Sequence, residues 1–88
     1  MARGYRVRGQ VQGVGFRWWT RSLALRLGLS GTVCNHPDGS VVVQAEGSDE
    51  ALDALHRELL HGPPGAAVEA VDEMAAEPLT ESDFRIIH

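Results

Sequence analysis

Lysine is missing from this sequence, and all eight of its basic residues are arginines. That excludes Schiff-base chemistry and the lysine-dependent nucleotide loop. Cysteine occurs once, as Cys34, so the chain can form no internal disulfide and fits a reducing cytoplasm. No apolar run is long enough to span a membrane, and the N-terminus has no signal-peptide hydrophobic region. Positive charge is also short, with 8 basic against 12 acidic residues and a formal net charge of −4. This balance argues against nonspecific binding to nucleic acid or to an acidic membrane. No cluster of His, Cys, Asp and Glu has metal-ligand spacing, so no metal and no cofactor is expected. What is left is enough apolar content for one core in one small domain, residues 1–88, expected to be monomeric.

The order of elements follows from periodicity and punctuation. Tyr5, Val7, Gly9 and Val11 alternate as a strand over about residues 4–11. A glycine turn follows, then a helix from about Trp18 to Leu27, with Trp19, Leu23 and Leu27 at four-residue spacing and Gly28 as its stop. A strand near Gly31–Asn35 runs into His36-Pro37-Asp38-Gly39, a strong turn signal, and Val41, Val43 and Ala45 alternate beyond it. Ser48 is a helix cap with Asp49 and Glu50 in the first turn. The second helix buries Leu52, Leu55 and Leu59 and stops at His61-Gly62-Pro63-Pro64-Gly65. Strands near Val68–Ala75 and Phe84–Ile87 complete the series.

The sum is an α+β, ferredoxin-like βαββαβ sandwich: a mostly antiparallel sheet, two helices on one face and a short C-terminal strand. Its topology makes a geometric prediction. The first two strands, joined by a helical crossover, run parallel and end along the same sheet edge. The glycine turn follows the first and Asn35 closes the second, so both should face one pocket.

Val11-Gln12-Gly13-Val14-Gly15-Phe16-Arg17 is the segment richest in chemical meaning. Two glycines let the backbone curl so that consecutive N–H groups converge, and Arg17 adds a planar fork of donors. The following helix contributes free N–H groups and the positive end of its dipole. An arginine there is unfavourable unless an anion lies between it and the helix end. The segment reads as a phosphate-sized anion cradle. Arg17 is weighed against the ordinary solvated surface arginine, and its place at a helix start favours the cradle. Asn35 could be turn chemistry alone; across the sheet edge from the loop, it could orient a water for attack on a bound phosphorus.

The other candidates have blander readings. Phe16, Trp18 and Trp19 are expected in or near the core, with Phe16 beneath the loop. His56 and His61 fall on different helix faces, so they are solvated residues rather than a metal pair. His36 near the pocket reads as an exposed turn residue. Cys34 points away from Asn35 across the strand and lacks an arginine six residues on, so it is structural.

The run Gly9 to Arg17 resembles the phosphate loop of acylphosphatases. Gly31-Thr32-Val33-Cys34-Asn35, with Asp38-Gly39-Ser40-Val41 and Glu46-Gly47, resembles the family's second signature at the expected spacing, and Phe84-Arg85-Ile86-Ile87 its usual ending. The resemblance spans essentially the whole chain. It implies metal-independent hydrolysis of acyl phosphates to a carboxylate and inorganic phosphate, without a covalent phosphoenzyme. It assigns phosphate holding to Arg17 and to the loop of Gln12, Gly13, Val14, Gly15 and Phe16, and water orientation to Asn35. Thr32 stands where the family usually has an aromatic, Cys34 where it has a basic or long polar residue, and His88 where a tyrosine is frequent. Less buried apolar area at such positions implies about 1–2 kcal/mol less stability than in an aromatic-bearing relative.

Two other readings compete. Acylphosphatase-like domains also open large hydrogenase-maturation proteins that handle carbamoyl phosphate, where a non-catalytic anion-binding role applies. Those loops typically carry proline after the arginine, and here Trp18 follows. RNA-recognition domains share the βαββαβ order but stack bases on central-strand aromatics, and Ser40 to Glu46 contains none.

Overall fold

Alternation along the first strand, β1 (Ala2–Gln10), sorts its side chains by face. Tyr5 and Val7 are sealed in the core, whereas Arg6 and Arg8 point the other way. The computed structural model describes residues 1–76 and 83–87. After β1 come α1 (Phe16–Arg26), β2 (Ser30–Asn35), β3 (Val41–Glu46), α2 (Asp49–Leu59), β4 (Ala67–Met74) and β5 (Phe84–Ile87).

The five strands form one sheet in the order β4-β1-β3-β2-β5. Every neighbouring pair is antiparallel except β2 and β5, which run parallel. Phe16, Leu23 and Ala24 of α1 and Leu52, Leu55 and Leu59 of α2 join one core with Tyr5, Val7, Val33, Val41, Val43 and Phe84. Both helices therefore cover the same face of the sheet. The expected ferredoxin-like sandwich is what the chain adopts.

Capping explains where the helices begin and end. Ser48 accepts a hydrogen bond from the Ala51 N–H at 3.1 Å, and Asp49 and Glu50 sit in the first turn of α2. At the far end of α1, Gly28 takes a positive φ of 74°, and the Leu29 N–H reaches back to the Ala24 carbonyl at 2.9 Å.

Three expectations about side chains are corrected. Trp18 is not in the core: it is 63% exposed. The buried stripe of α1 is Phe16, Thr20, Leu23 and Ala24, and a residue two beyond Phe16 is rotated roughly 200° away from it. His56 is not simply solvated, because its ring packs on Tyr5 with centroids 5.2 Å apart and planes tilted by 43°. His36 is half-buried rather than exposed, drawn in by backbone bonds within its turn. Trp19 packs against the core beside Phe16, and His61 is exposed, both as expected. Cys34 and Thr32 lie half-buried on the sheet face opposite Val33. The substitution of His88 for a terminal tyrosine lies outside the described residues.

Candidate active site

Strands β1 and β2 both pair antiparallel with β3, which lies between them. They therefore run parallel, and their ends at Gln10 and Asn35 share one sheet edge. That juxtaposition was expected, and it brings the glycine turn and Asn35 together.

The turn is anchored at both ends. Val11 is fully buried on the strand side, and Phe16 is 2% exposed on the helix side. Between them Gly13 and Gly15 hold φ values of 80° and 77°. A Cβ on either would meet nothing within 4 Å. Glycine is needed here for conformation rather than for room, and the outer side of the turn stays open. Gly15 is also the N-cap of α1 and offers no side-chain cap. No acidic residue occupies the first turn. Neither the N-cap nor the first turn of α1 thus supplies the carboxylate or hydroxyl that usually meets its first N–H groups. Half-buried Arg17, second residue of the helix, stands at this positive end.

Asn35 is the last residue of β2 and pairs in register with Val41. It alternates onto the same sheet face as Val33, the face covered by the helices. Its Oδ1 is buried and has no hydrogen-bond partner among the described residues. An amide oxygen left so is costly unless a further molecule donates to it.

The Gln12 side chain does something that sequence reasoning missed. Its Nε2 donates to the His36 carbonyl at 2.8 Å and to the Ser40 carbonyl at 2.9 Å. The loop is thereby tied to the turn that follows Asn35. That turn is braced in its own right. Asp38 Oδ1 accepts from Ser40 Oγ at 2.6 Å and from the Ser40 N–H at 3.0 Å, while its Oδ2 pairs with Arg6 at 2.8 Å. The Ser40 bonds, assisted by Arg6, hold the Asp38 carboxyl down at about 2. Asp38-Gly39 had read only as a turn signal; the Asp38–Ser40 bonds are local to that turn, but the ties of Arg6 to both join positions 32 and 34 apart in sequence, too far for any local pattern to show.

Among the described residues, no group of three or more His, Cys, Asp or Glu side chains could hold a metal ion. No helix among them is long and apolar enough to cross a membrane.

The chain has close counterparts among known proteins. The acylphosphatase family model matches residues 3–86. The chain belongs to the acylphosphatase family. An acylphosphatase of Rhizobium etli is 50% identical over 82 residues, 92% of this chain and 87% of its own length. Acylphosphatase structures give the same picture. That from Bacillus subtilis superposes with a TM-score of 0.93 at 31% identity, covering 99% of this chain and 98% of its own. That from Coxiella burnetii gives 0.92 at 37% identity, covering 98% and 90%. A family member of this kind is a hydrolase acting on acid anhydrides, and acyl-phosphate hydrolysis is its expected activity.

Proposed function

We propose that this acylphosphatase-family chain hydrolyses the carboxyl–phosphate bond by direct attack of water on a phosphate held by the loop Gln12–Arg17. The loop amides, the open N-terminus of α1 and the Arg17 guanidinium receive the phosphate oxygens. The Oδ1 of Asn35 on the same edge, buried and without a partner among the described residues, is the observation that carries the reading. It accepts a hydrogen bond from the attacking water and turns the oxygen lone pair toward phosphorus.

A bond forms between the water oxygen and phosphorus as the bond from phosphorus to the acyl oxygen breaks, its electron pair leaving on the carboxylate. One water proton passes to an oxygen of the substrate's own phosphoryl group. An acyl phosphate dianion plus water thus gives a carboxylate and dihydrogen phosphate, with atoms and charge balanced. A carboxylate leaves readily, so positioning and stabilisation of equatorial charge suffice without a protein nucleophile.

The same reading makes the enzyme metal-independent and without a cofactor, acting on small-molecule acyl phosphates with inorganic phosphate as product. It also makes it a cytoplasmic monomer; the lone Cys34 supports the compartment, and the acidic balance argues against nucleic acid as a partner. The test is turnover of benzoyl phosphate in EDTA by wild type, Arg17→Ala and Asn35→Ala, with phosphate binding followed by calorimetry. Arg17→Ala is expected to lose both binding and turnover. Asn35→Ala is expected to keep phosphate binding while kcat falls by about 10²–10³. Near-normal turnover by folded Asn35→Ala would remove the water-orienting role, and turnover that EDTA abolishes would remove metal independence.

A further inference from the structure

A groove of about 350 Å³ runs between α1 and the edge strand β5, lined by Trp18, Arg21, Asp83, Phe84, Arg85 and Ile86. It is large enough for a small acyl group. Trp18, the residue after Arg17, forms part of its wall and leaves 63% of its surface in water. A single exposed apolar residue needs no explanation. An exposed indole that directly follows Arg17 and flanks a groove with two arginines is a more specific arrangement.

The charges in the groove have defined places. The Arg21 Nε donates to the Phe84 carbonyl at 3.1 Å. This pins the guanidinium against the strand edge while its two terminal nitrogens keep their donors. Asp83, the groove's anion, is engaged at the strand start, where its Oδ1 accepts from the Phe84 N–H at 2.7 Å. Arg85 adds a second cation from β5. Arg17 and Arg21 are four residues apart on α1, so they lie on one side of the helix with Cβ atoms about 5–6 Å apart. A molecule with two anionic groups separated by a few bonds could engage both.

We propose that this groove is the acyl-group subsite, and that it favours acyl phosphates carrying a second negative group at the far end of the acyl portion. The inference rests on the assignment of the phosphate to Arg17. The acyl portion lies along Trp18, and its far anion meets Arg21, with Arg85 adding to the local field. The Arg21 side chain is held in advance by Phe84, so little of its freedom remains to be lost on binding. A neutral acyl group gains only the contact with Trp18.

The test compares kcat/KM for benzoyl phosphate and 4-carboxybenzoyl phosphate in wild type, Arg21→Gln, Arg85→Gln and Trp18→Ala. Wild type is expected to prefer the carboxylated substrate at low salt and to lose that preference as salt screens the pair. Arg21→Gln should lower kcat/KM for the carboxylated substrate about tenfold more than for benzoyl phosphate, mainly through KM. Arg85→Gln should shift the ratio in the same direction by a smaller factor, without touching the bond to Phe84. Arg21→Lys, which keeps the charge, should recover part of the preference. Trp18→Ala should raise KM for both substrates. A substrate ratio unchanged by Arg21→Gln and Arg85→Gln in folded protein overturns the subsite. Wild type that hydrolyses neither compound instead overturns the phosphate-site reading on which it rests.

Discussion

Gln12 and His36, 24 positions apart in sequence, are joined by a 2.8 Å hydrogen bond from the Gln12 side-chain amide to the His36 backbone carbonyl. The same nitrogen reaches the Ser40 carbonyl at 2.9 Å. Neither contact is with a phosphate, yet together they set the distance between the loop and the strand end that carries Asn35. In the proposed mechanism Gln12 is therefore a positioning residue. Replacing it by alanine removes both bonds and should cost about 1–2 kcal/mol of stability, because each net bond contributes about 1 kcal/mol. The larger effect should be on kcat, about tenfold or more, since a shift of about 1 Å between reacting groups is expensive. Gln12→Glu should be worse than alanine, because a carboxylate would face two carbonyl oxygens. Urea denaturation with steady-state kinetics separates these outcomes, and a Gln12→Ala enzyme with unaltered kcat would remove the positioning role.

Asp38 links that brace to pH. Its folded-state pKa lies at about 2 against an ordinary value of 3.8. The folded state therefore binds this proton less readily than the unfolded chain. Its stabilising contribution is present in full above the unfolded value and is lost as pH falls through about 2. Wild type should exceed Asp38→Asn in urea midpoint at pH 6, and the two curves should converge between pH 4 and pH 2. A constant gap across that range would show that the carboxylate's ionisation contributes nothing.

The conformation of the loop itself can be separated from its contacts at Gly15. With φ at 77° and no atom within 4 Å of an added Cβ, Gly15→Ala introduces backbone strain and no collision. The expected cost is about 1–2 kcal/mol. The loop can relieve that strain by opening, which would spread its N–H groups apart. Calorimetry with inorganic phosphate should therefore show affinity falling about tenfold or more, while circular dichroism stays native. Unchanged phosphate affinity would mean that the loop amides do not hold the anion.

Local signals in the chain were sufficient for its architecture. Ser48 followed by two acids, Gly28 after a four-residue repeat, and Asp38-Gly39 between two alternating runs each act within a few residues, and each element formed where they point. The start of α1 came two residues earlier than expected, at Phe16, because Gly15 makes the break directly before it. That the glycine turn and Asn35 share one sheet edge was legible because topology alone brings the ends of β1 and β2 together. What stayed hidden depends on side-chain direction and on partners distant in sequence. Trp18 has the composition of a core residue but the wrong angle on its helix. His56 meets Tyr5 across 51 positions, and Gln12 spends its amide on carbonyls of another turn. Periodicity carries no information about such pairings.

Asn35 allows the sharpest distinction between binding and positioning, because its Oδ1 is both buried and unpartnered among the described residues. Alanine deletes the acceptor and leaves space for a disordered water, so the loss should fall on kcat. Aspartate keeps an acceptor of the same shape but places a negative charge beside the bound phosphate dianion. At this short range, repulsion weakens the substrate complex itself, so Asn35→Asp should raise KM and the inhibition constant of inorganic phosphate. Protonating that aspartate would relieve the repulsion, so phosphate affinity of Asn35→Asp should improve as pH is lowered toward 4, unlike that of Asn35→Ala. Inhibition by inorganic phosphate between pH 4 and 8 reads both effects directly. If aspartate and alanine gave the same kcat and the same phosphate inhibition at every pH, Asn35 would not face the phosphate, and the attacking water would have to be oriented by another group.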